Sequence, residues 1–389
     1  MVWKWLGKIF ACLLFAALIG LVGLIAAFFI SFSSVSQRFY IPLIIVTGAA
    51  LVLWNALRVL SSINPRILNR SLYAVLALIA VTLGGYEINK AYERSVPVVS
   101  EQDVDVWEYM PFAQQSKVVS LEEPAALSID SDLPILDGAT ALYPLYAAFA
   151  QAVYPEKEYP PHDSEVMVNT TPEAYNNLLK GTVDIIFVAE PSIRQRGEAQ
   201  QMGKELKLTP IGREAFVFFV NADNPVTGLT TEQIQDIYAG KITNWREVGG
   251  RDEPIQAFQR PEDSGSQTML EKIMEGKELM TPPQEDVLRG MGGIIEQTAD
   301  YRNHKNAIGY SFLFFSSEMV RNGNIRLLAV DGVLPDKTTI ADGSYPLAAE
   351  FYAVTAGSDN PHVEALIEWI LSPQGQWLVE RTGYSPVNP

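Results

Sequence analysis

Long uncharged runs broken by short charged stretches make up the first 86 residues. No residue from Ile9 to Gln37 is charged, and the centre reads LLFAALIGLVGLIAAFFI. About 20 apolar residues cross a bilayer core, so this run predicts a transmembrane helix at about 10–32. Phe39 to Leu57 is a second uncharged run and predicts a helix at about 39–59. The third, Ser71 to Tyr86, would reach roughly 24 Å as a helix. It predicts a shorter span at about 71–86, with Tyr73 and Tyr86 at the interfaces.

The pattern then changes. Residues 87–132 are polar and mixed, and read as an extracytoplasmic linker and lead-in containing Val106, Trp107, Tyr109 and Phe112. From Leu133, strand-like and helix-like segments alternate. LPILDG ends in a glycine turn, and Pro144 to Val153 has Leu145, Phe149 and Val153 on one helical face. EVMVN (165–169) reads as a strand, and Thr171-Pro172-Glu173 opens a helix with a cap, a first-turn proline and an early acid. VDIIFVAE and EAFVFFVN (214–221) read as strands, and TTEQIQDIYAG as a helix stopped at Gly240. This alternation predicts an α/β fold with mainly parallel sheets.

Composition sharpens the division. The chain has 389 residues, 48% of them hydrophobic and 19% charged, with a mean hydropathy of +0.08. Up to residue 98 the basic residues are Lys4, Lys8, Arg38, Arg58, Arg66, Arg70, Lys90 and Arg94, against Glu87 and Glu93. That front part nets +6 within a whole-chain charge of −16, which leaves −22 for the remainder. So acidic a domain argues against nucleic acid as a partner, because phosphate backbones need a cationic surface. Lys4 and Lys8 precede the first span, and Arg58, Arg66 and Arg70 crowd the second connection. By the positive-inside rule these face the cytoplasm, and with three spans everything after Tyr86 lies outside. Cys12 is the single cysteine. The apolar stretch ahead of it is too short for a lipoprotein leader, so it reads as a packed or membrane-facing thiol.

Several segments together carry a resemblance. IGREAFVFFVNADNPVTGLTTEQIQDIYAGKITNWREVGG (211–250) resembles the signature of periplasmic phosphate-binding proteins, the receptors of phosphate ABC importers. The resemblance continues through FQRPEDSGSQT (258–268), AIGYSF (307–312), YPLAAEFYAV (345–354) and IEWILSPQGQWLVERTGYSPV (367–387). It implies a two-lobed type II periplasmic-binding-protein fold over 133–389. Lobe 1 would combine about 133–215 with 310–389, and lobe 2 would be about 216–309. The implied ligand is phosphate or a similar oxyanion, held in the interlobe cleft without a cofactor or metal. The implied protein partner is an ABC permease or another membrane protein, and the apolar runs add the lipid bilayer.

Physical chemistry agrees with an oxyanion site. Helix N-termini offer unpaired backbone N–H groups and partial positive charge. Loop-to-helix junctions with small or hydroxyl residues occur at Gly138-Ala139-Thr140-Ala141-Leu142, Thr170-Thr171-Pro172 and Asp263-Ser264-Gly265-Ser266. In the family that this sequence resembles, an Arg four residues ahead of a Ser-Gly-Ser supplies the cation. Here those residues are Arg260, Ser264, Gly265 and Ser266. A guanidinium fork suits a tetrahedral oxyanion because it donates two parallel hydrogen bonds. The resemblance further implies that Glu262 orients Arg260, that Thr171 opens the second anion-binding helix, and that Ala141 and Leu142 supply the first loop beside Thr140.

One position departs from the family pattern. The acid that usually accepts the proton of hydrogenphosphate is replaced by Ala189, with Glu190 beside it. Discrimination against sulfate then depends on whether Glu190 turns inward. An enzyme is the less favoured reading. His162, His304 and His362 have no metal-ligand spacing, and no nucleophile elbow, P-loop or dinucleotide fingerprint appears. A non-transport role on the same fold, as a membrane-tethered sensor or surface protein, stays open because of the three-helix anchor.

Overall fold

Three apolar runs become three helices: α1 (Val2–Ser31), α2 (Gln37–Leu60) and α3 (Pro65–Ser95). The computed structural model of the protein describes residues 2–31, 37–96, 98–99, 105–281, 301–319 and 324–387. By length and composition each helix could cross a membrane, over Trp3–Ser31, Phe39–Leu60 and Pro65–Tyr92. The third is much longer than its apolar run. Pro65 suits a first helical turn, and Asn64 accepts from the Arg66 N–H at 2.9 Å, so the helix starts before the apolar residues do. The expected segment 71–86 is therefore the apolar middle of this 31-residue helix. Helices α1 and α2 approach closely at small residues. A β-carbon on Gly48 would stand 3.3 Å from Ile19 Cγ2, and one on Gly23 would stand 3.5 Å from Ile44 Cγ2.

The described residues from Val98 onward form a second compact unit. Its strands are β1 (Val98–Val99), β2 (Leu136–Gly138), β3 (Ile185–Val188), β4 (Lys207–Asn221), β5 (Gly228–Leu229) and β6 (Gln256–Ala257). They continue with β7 (Tyr301–Arg302), β8 (Ala307–Phe312), β9 (Ile325–Leu327), β10 (Ala329–Val330), β11 (Ala348–Thr355) and β12 (Ser385–Pro386). The helices are α4 (Tyr143–Val153), α5 (Thr171–Lys180), α6 (Ile193–Gln201), α7 (Thr231–Tyr238) and α8 (Gly265–Ile273). After them come α9 (Lys337–Ala341), α10 (Val363–Ile370) and α11 (Pro373–Thr382). The large sheet runs β2-β3-β11-β4-β8-β6, with β9 and β12 also paired to β4.

The α/β class holds, but the expectation of mainly parallel sheets does not. β2–β3, β6–β8 and β5–β10 are parallel, while β11 is antiparallel to both β3 and β4, and β4 is antiparallel to β8, β9 and β12. The reason is topological. A chain that leaves one lobe and later returns beside its outgoing strand must run the opposite way. β4 is that outgoing strand: Glu214 pairs with Ala349 of β11, whereas Phe216 already pairs with Phe312 of β8. EVMVN contributes only bridges, Val166 to Leu136 and Asn169 to Ala139.

Two large apolar cores flank this crossing. The first gathers Leu136, Tyr146, Phe149, Phe187, Trp369 and Leu378. The second gathers Phe216, Phe218, Tyr238, Trp245, Leu270 and Tyr310. It also takes Leu328, Val330, Ile340, Tyr345 and Leu347, which the sequence reading had put in lobe 1 by starting that segment at 310. By packing, the return crossing stands at Leu347–Ala348, where the Phe216 N–H donates to the Leu347 carbonyl at 2.9 Å. The lead-in is also less of a linker than expected. Val118 and Ile129 are buried in the first core, and the Phe112 and Ala126 N–H groups donate to Gln151 and Gln374, each at 2.8 Å.

Candidate ligand cleft between the lobes

A cleft opens where the two lobes meet beside β4 and β11, lined from the first lobe by Thr140, Ala141, Leu142 and Thr171 and from the second by Gly265 and Ser266. Six of the expected ligand residues are thus brought together from three separate segments of the chain. Each sits at a helix start, where the first N–H groups have no intrahelical acceptor.

The first junction is shaped by packing. A β-carbon on Gly138 would lie 2.5 Å from the Phe187 carbonyl oxygen and 2.9 Å from Tyr146 Cε1, so only glycine fits. The chain then makes one 3-10 turn, Thr140–Leu142, and enters α4 with Pro144 in its first turn. Tyr384 donates to the Ala141 carbonyl, and Thr140 Oγ1 stands 3.5 Å from the Asn169 carbonyl. Below the turn, Asp137 is fully buried and accepts from Asn169 and Asn177, each at 2.9 Å, and from the Gly138 N–H at 2.7 Å. Burial pushes its carboxyl above the usual range, and those hydrogen bonds pull the other way. Asp137 ties the first junction to the strand and helix that carry the second.

At the second junction the cap is Thr170, whose N–H donates to the Glu173 carboxylate at 3.3 Å. The sequence reading gave the cap to Thr171. Thr171 is instead the first helical residue, buried and facing the cleft. At the third, Ser264 caps α8 by accepting from the Gln267 N–H at 3.2 Å. A β-carbon on Gly265 would meet Ala189 Cβ at 3.1 Å and Thr171 Oγ1 at 3.5 Å. The second and third junctions therefore face each other at van der Waals range, with Ala189 between them.

Four expected residues do not line the cleft: Arg260, Ser264, Glu262 and Glu190. Arg260 lies on the loop into α8, its N–H donating to Tyr310 Oη at 2.8 Å and to Gln267 Oε1 at 3.1 Å. Glu262 is exposed, and the buried acid of that loop is its neighbour Asp263. Asp263 has φ +62° and accepts from Ser192 Oγ at 2.6 Å and from the Arg194 guanidinium. Glu190 accepts from Lys272 at 2.6 Å and from Arg196 at 2.9 Å. The Lys272 ammonium holds its carboxyl below the usual range. Glu190 is thus committed to ion pairs away from the cleft and does not replace the acid missing at Ala189.

Sequence reasoning missed Glu214, Ser311 and Glu350, which also line the cleft. Glu214 is 6% exposed on β4, and its carboxyl accepts from the Phe314 N–H at 2.5 Å. Burial pushes that carboxyl up to about 8. A signal was present, since Glu214 is the one acid of β4 and directly precedes the apolar run AFVFFV, but alternation alone does not say which face a crossing strand buries.

Residues 135–374 match the model of the PBP superfamily domain. The chain belongs to the PBP superfamily. Within it, the chain is similar to the phosphate-binding protein PstS of Bacillus subtilis, at 28% identity over 258 residues covering 65% of this chain and 80% of that protein. It is also similar to PstS of Borreliella burgdorferi, at 27% over 194 residues, 48% of this chain and 67% of that one. Among solved structures, an ABC-type phosphate transport receptor from Vibrio cholerae shares 19% identity with a TM-score of 0.46, over 64% of this chain and 98% of that one. The resemblance read from residues 211–387 is borne out by the two PstS proteins, and the superfamily match covers both lobes.

Proposed function

We propose that this PBP-superfamily chain is a membrane-anchored solute-binding protein. It captures an inorganic oxyanion, phosphate first among them, and delivers it to an ABC importer. One observation carries the reading: helix starts from both lobes, at Thr140–Leu142, Thr171 and Gly265–Ser266, converge on one cleft. Such a site binds anions through fixed N–H donors and needs few cations, which suits a domain of −22. Arg260, on the loop that enters α8, is the residue proposed to bring a guanidinium to the ligand. Nothing in the proposal requires catalysis. The three apolar helices would hold the receptor at the membrane with its C-terminal domain outside, raising its effective concentration near a permease.

Calorimetric titration of the detergent-solubilised full chain with phosphate and with sulfate tests this. Saturable heat with phosphate is expected, and silence with both anions would overturn it. The tethered-sensor reading is kept alive by the three-helix unit. Co-purification of the protein with membrane partners separates the two, because a permease complex is expected only for transport.

A further inference from the structure

The cleft lacks an acid at Ala189, yet it is not without one. Glu214 lines it from β4, at the point where the chain crosses between lobes. Glu214 is 6% exposed, and among the described residues its carboxyl has a single hydrogen-bond partner, the Phe314 N–H at 2.5 Å. That donor fixes one oxygen and leaves the carboxyl's remaining capacity for the cleft. We infer that Glu214 is the specificity-determining acid of this site, contacting the bound oxyanion directly and deciding which protonation state of the ligand is taken. The inference rests on the oxyanion reading proposed above.

The chemistry follows from the state of the carboxyl. Protonated, Glu214 donates one O–H and welcomes an oxyanion that only accepts, such as sulfate. Ionised, it can only accept, so it welcomes hydrogenphosphate, which carries a proton to donate, and repels sulfate. Burial pushes the group to about 8, so the exchange between the two modes falls within reach of ordinary buffers.

Charged neighbours on the surrounding elements do not dictate that balance. Arg213 precedes Glu214 on β4 and pairs at 3.8 Å with Glu350 of β11, itself a cleft residue. A second cavity shares Glu214 with Lys117, Lys337 and Arg381. Lys117 is already paired with Glu108, and Arg381 stands 5.3 Å over the Trp377 ring. Tyr384 also faces the group, and burial holds its phenol neutral, with the Glu214 charge adding to that effect. The dominant influence on Glu214 remains its burial.

The test is calorimetry on the full chain in detergent, with phosphate and sulfate, at pH 6.5, 8 and 9.5, for wild type and Glu214→Gln. In wild type, sulfate affinity should fall by up to about tenfold per pH unit above about 8 relative to phosphate. Glu214→Gln keeps a neutral donor at all pH values, so its sulfate-to-phosphate ratio should lose that added slope. An equal slope in both proteins overturns the inference while leaving the oxyanion site standing; no binding by wild type overturns the site itself. If the variant does not fold, infrared difference spectra of wild type at pH 6.5 decide. A protonated-carboxyl band that moves on adding phosphate supports direct contact, and an unmoved band overturns it.

Discussion

Ser192 Oγ donates a 2.6 Å hydrogen bond to Asp263 Oδ1, tying the start of α6 in the first lobe to the turn before α8 in the second. Arg194 adds an ion pair to the same carboxylate, and Gln195 Nε2 donates to the Asp263 carbonyl at 3.2 Å. Ser192 also caps α6, accepting from the Gln195 N–H at 3.1 Å. One turn of each helix therefore holds the lobes together at the edge of the cleft. With Asp263 4% exposed, this clasp is shielded from water on one side, although Arg194 is half-exposed.

Replacing Asp263 by Gly separates the clasp from the backbone. Its φ of +62° is natural for glycine, so folding should be little affected, within about 1 kcal/mol. The interlobe bonds of the Asp263 carboxylate to Ser192 and Arg194 would be gone, while the Gln195 bond to the backbone carbonyl stays, and a hydrogen bond to a charged group contributes about 1.5–3 kcal/mol. Bound phosphate should then dissociate at least about tenfold faster in stopped-flow measurements. An unchanged off-rate at unchanged stability would show that the clasp does not hold the closed form.

A methyl group at Gly265 should act on the ligand, not on the cores. Its β-carbon would meet Ala189 Cβ at 3.1 Å, and Ala189 has no flexible end to move aside. Closure of the lobes is what the contact opposes, so Gly265→Ala should weaken phosphate binding by tenfold or more while each core stays packed. Titration calorimetry combined with a thermal melt reads both quantities; full affinity in the variant would place the ligand elsewhere.

Gly138→Ala should do the opposite. The added carbon would stand 2.5 Å from the Phe187 carbonyl oxygen, a backbone atom between β2 and β3 that cannot step back cheaply. Overpacking of this kind costs about 1–3 kcal/mol. Urea unfolding should show that loss whether or not phosphate is present, and a neutral result would mean that β2 shifts freely.

Glu214 makes stability depend on pH in a definite direction. Burial pushes its native carboxyl up to about 8, against the ordinary value of 4.5 that an unfolded chain would restore. Between those values the unfolded state ionises while the native state stays protonated, so stability falls as pH rises through that window and levels off above it. The slope is about 1.4 kcal/mol for each pH unit at most. Glu214→Gln should remove it, gaining stability over wild type at pH 8 but little at pH 4.5. Denaturant midpoints across this range check the sign, and a wild-type midpoint that rises with pH would refute it.

Local pattern alone carried much of this protein. Unbroken apolar runs specified three helices, because backbone groups and side chains in a span answer to length and hydropathy. The cap and glycine signals at 138–142, 170–172 and 263–266 marked helix starts, because capping is settled within four residues. What tertiary structure decided was everything that depends on two distant segments meeting. It ran β4 through both lobes with β11 antiparallel beside its first half, moved the return crossing to Leu347, and turned Glu190 toward Lys272 and Arg196. It also buried Glu214 beside the cleft. A glutamate in an apolar strand can face solvent or core, and only the neighbouring strands, by removing its water, pushed its carboxyl up.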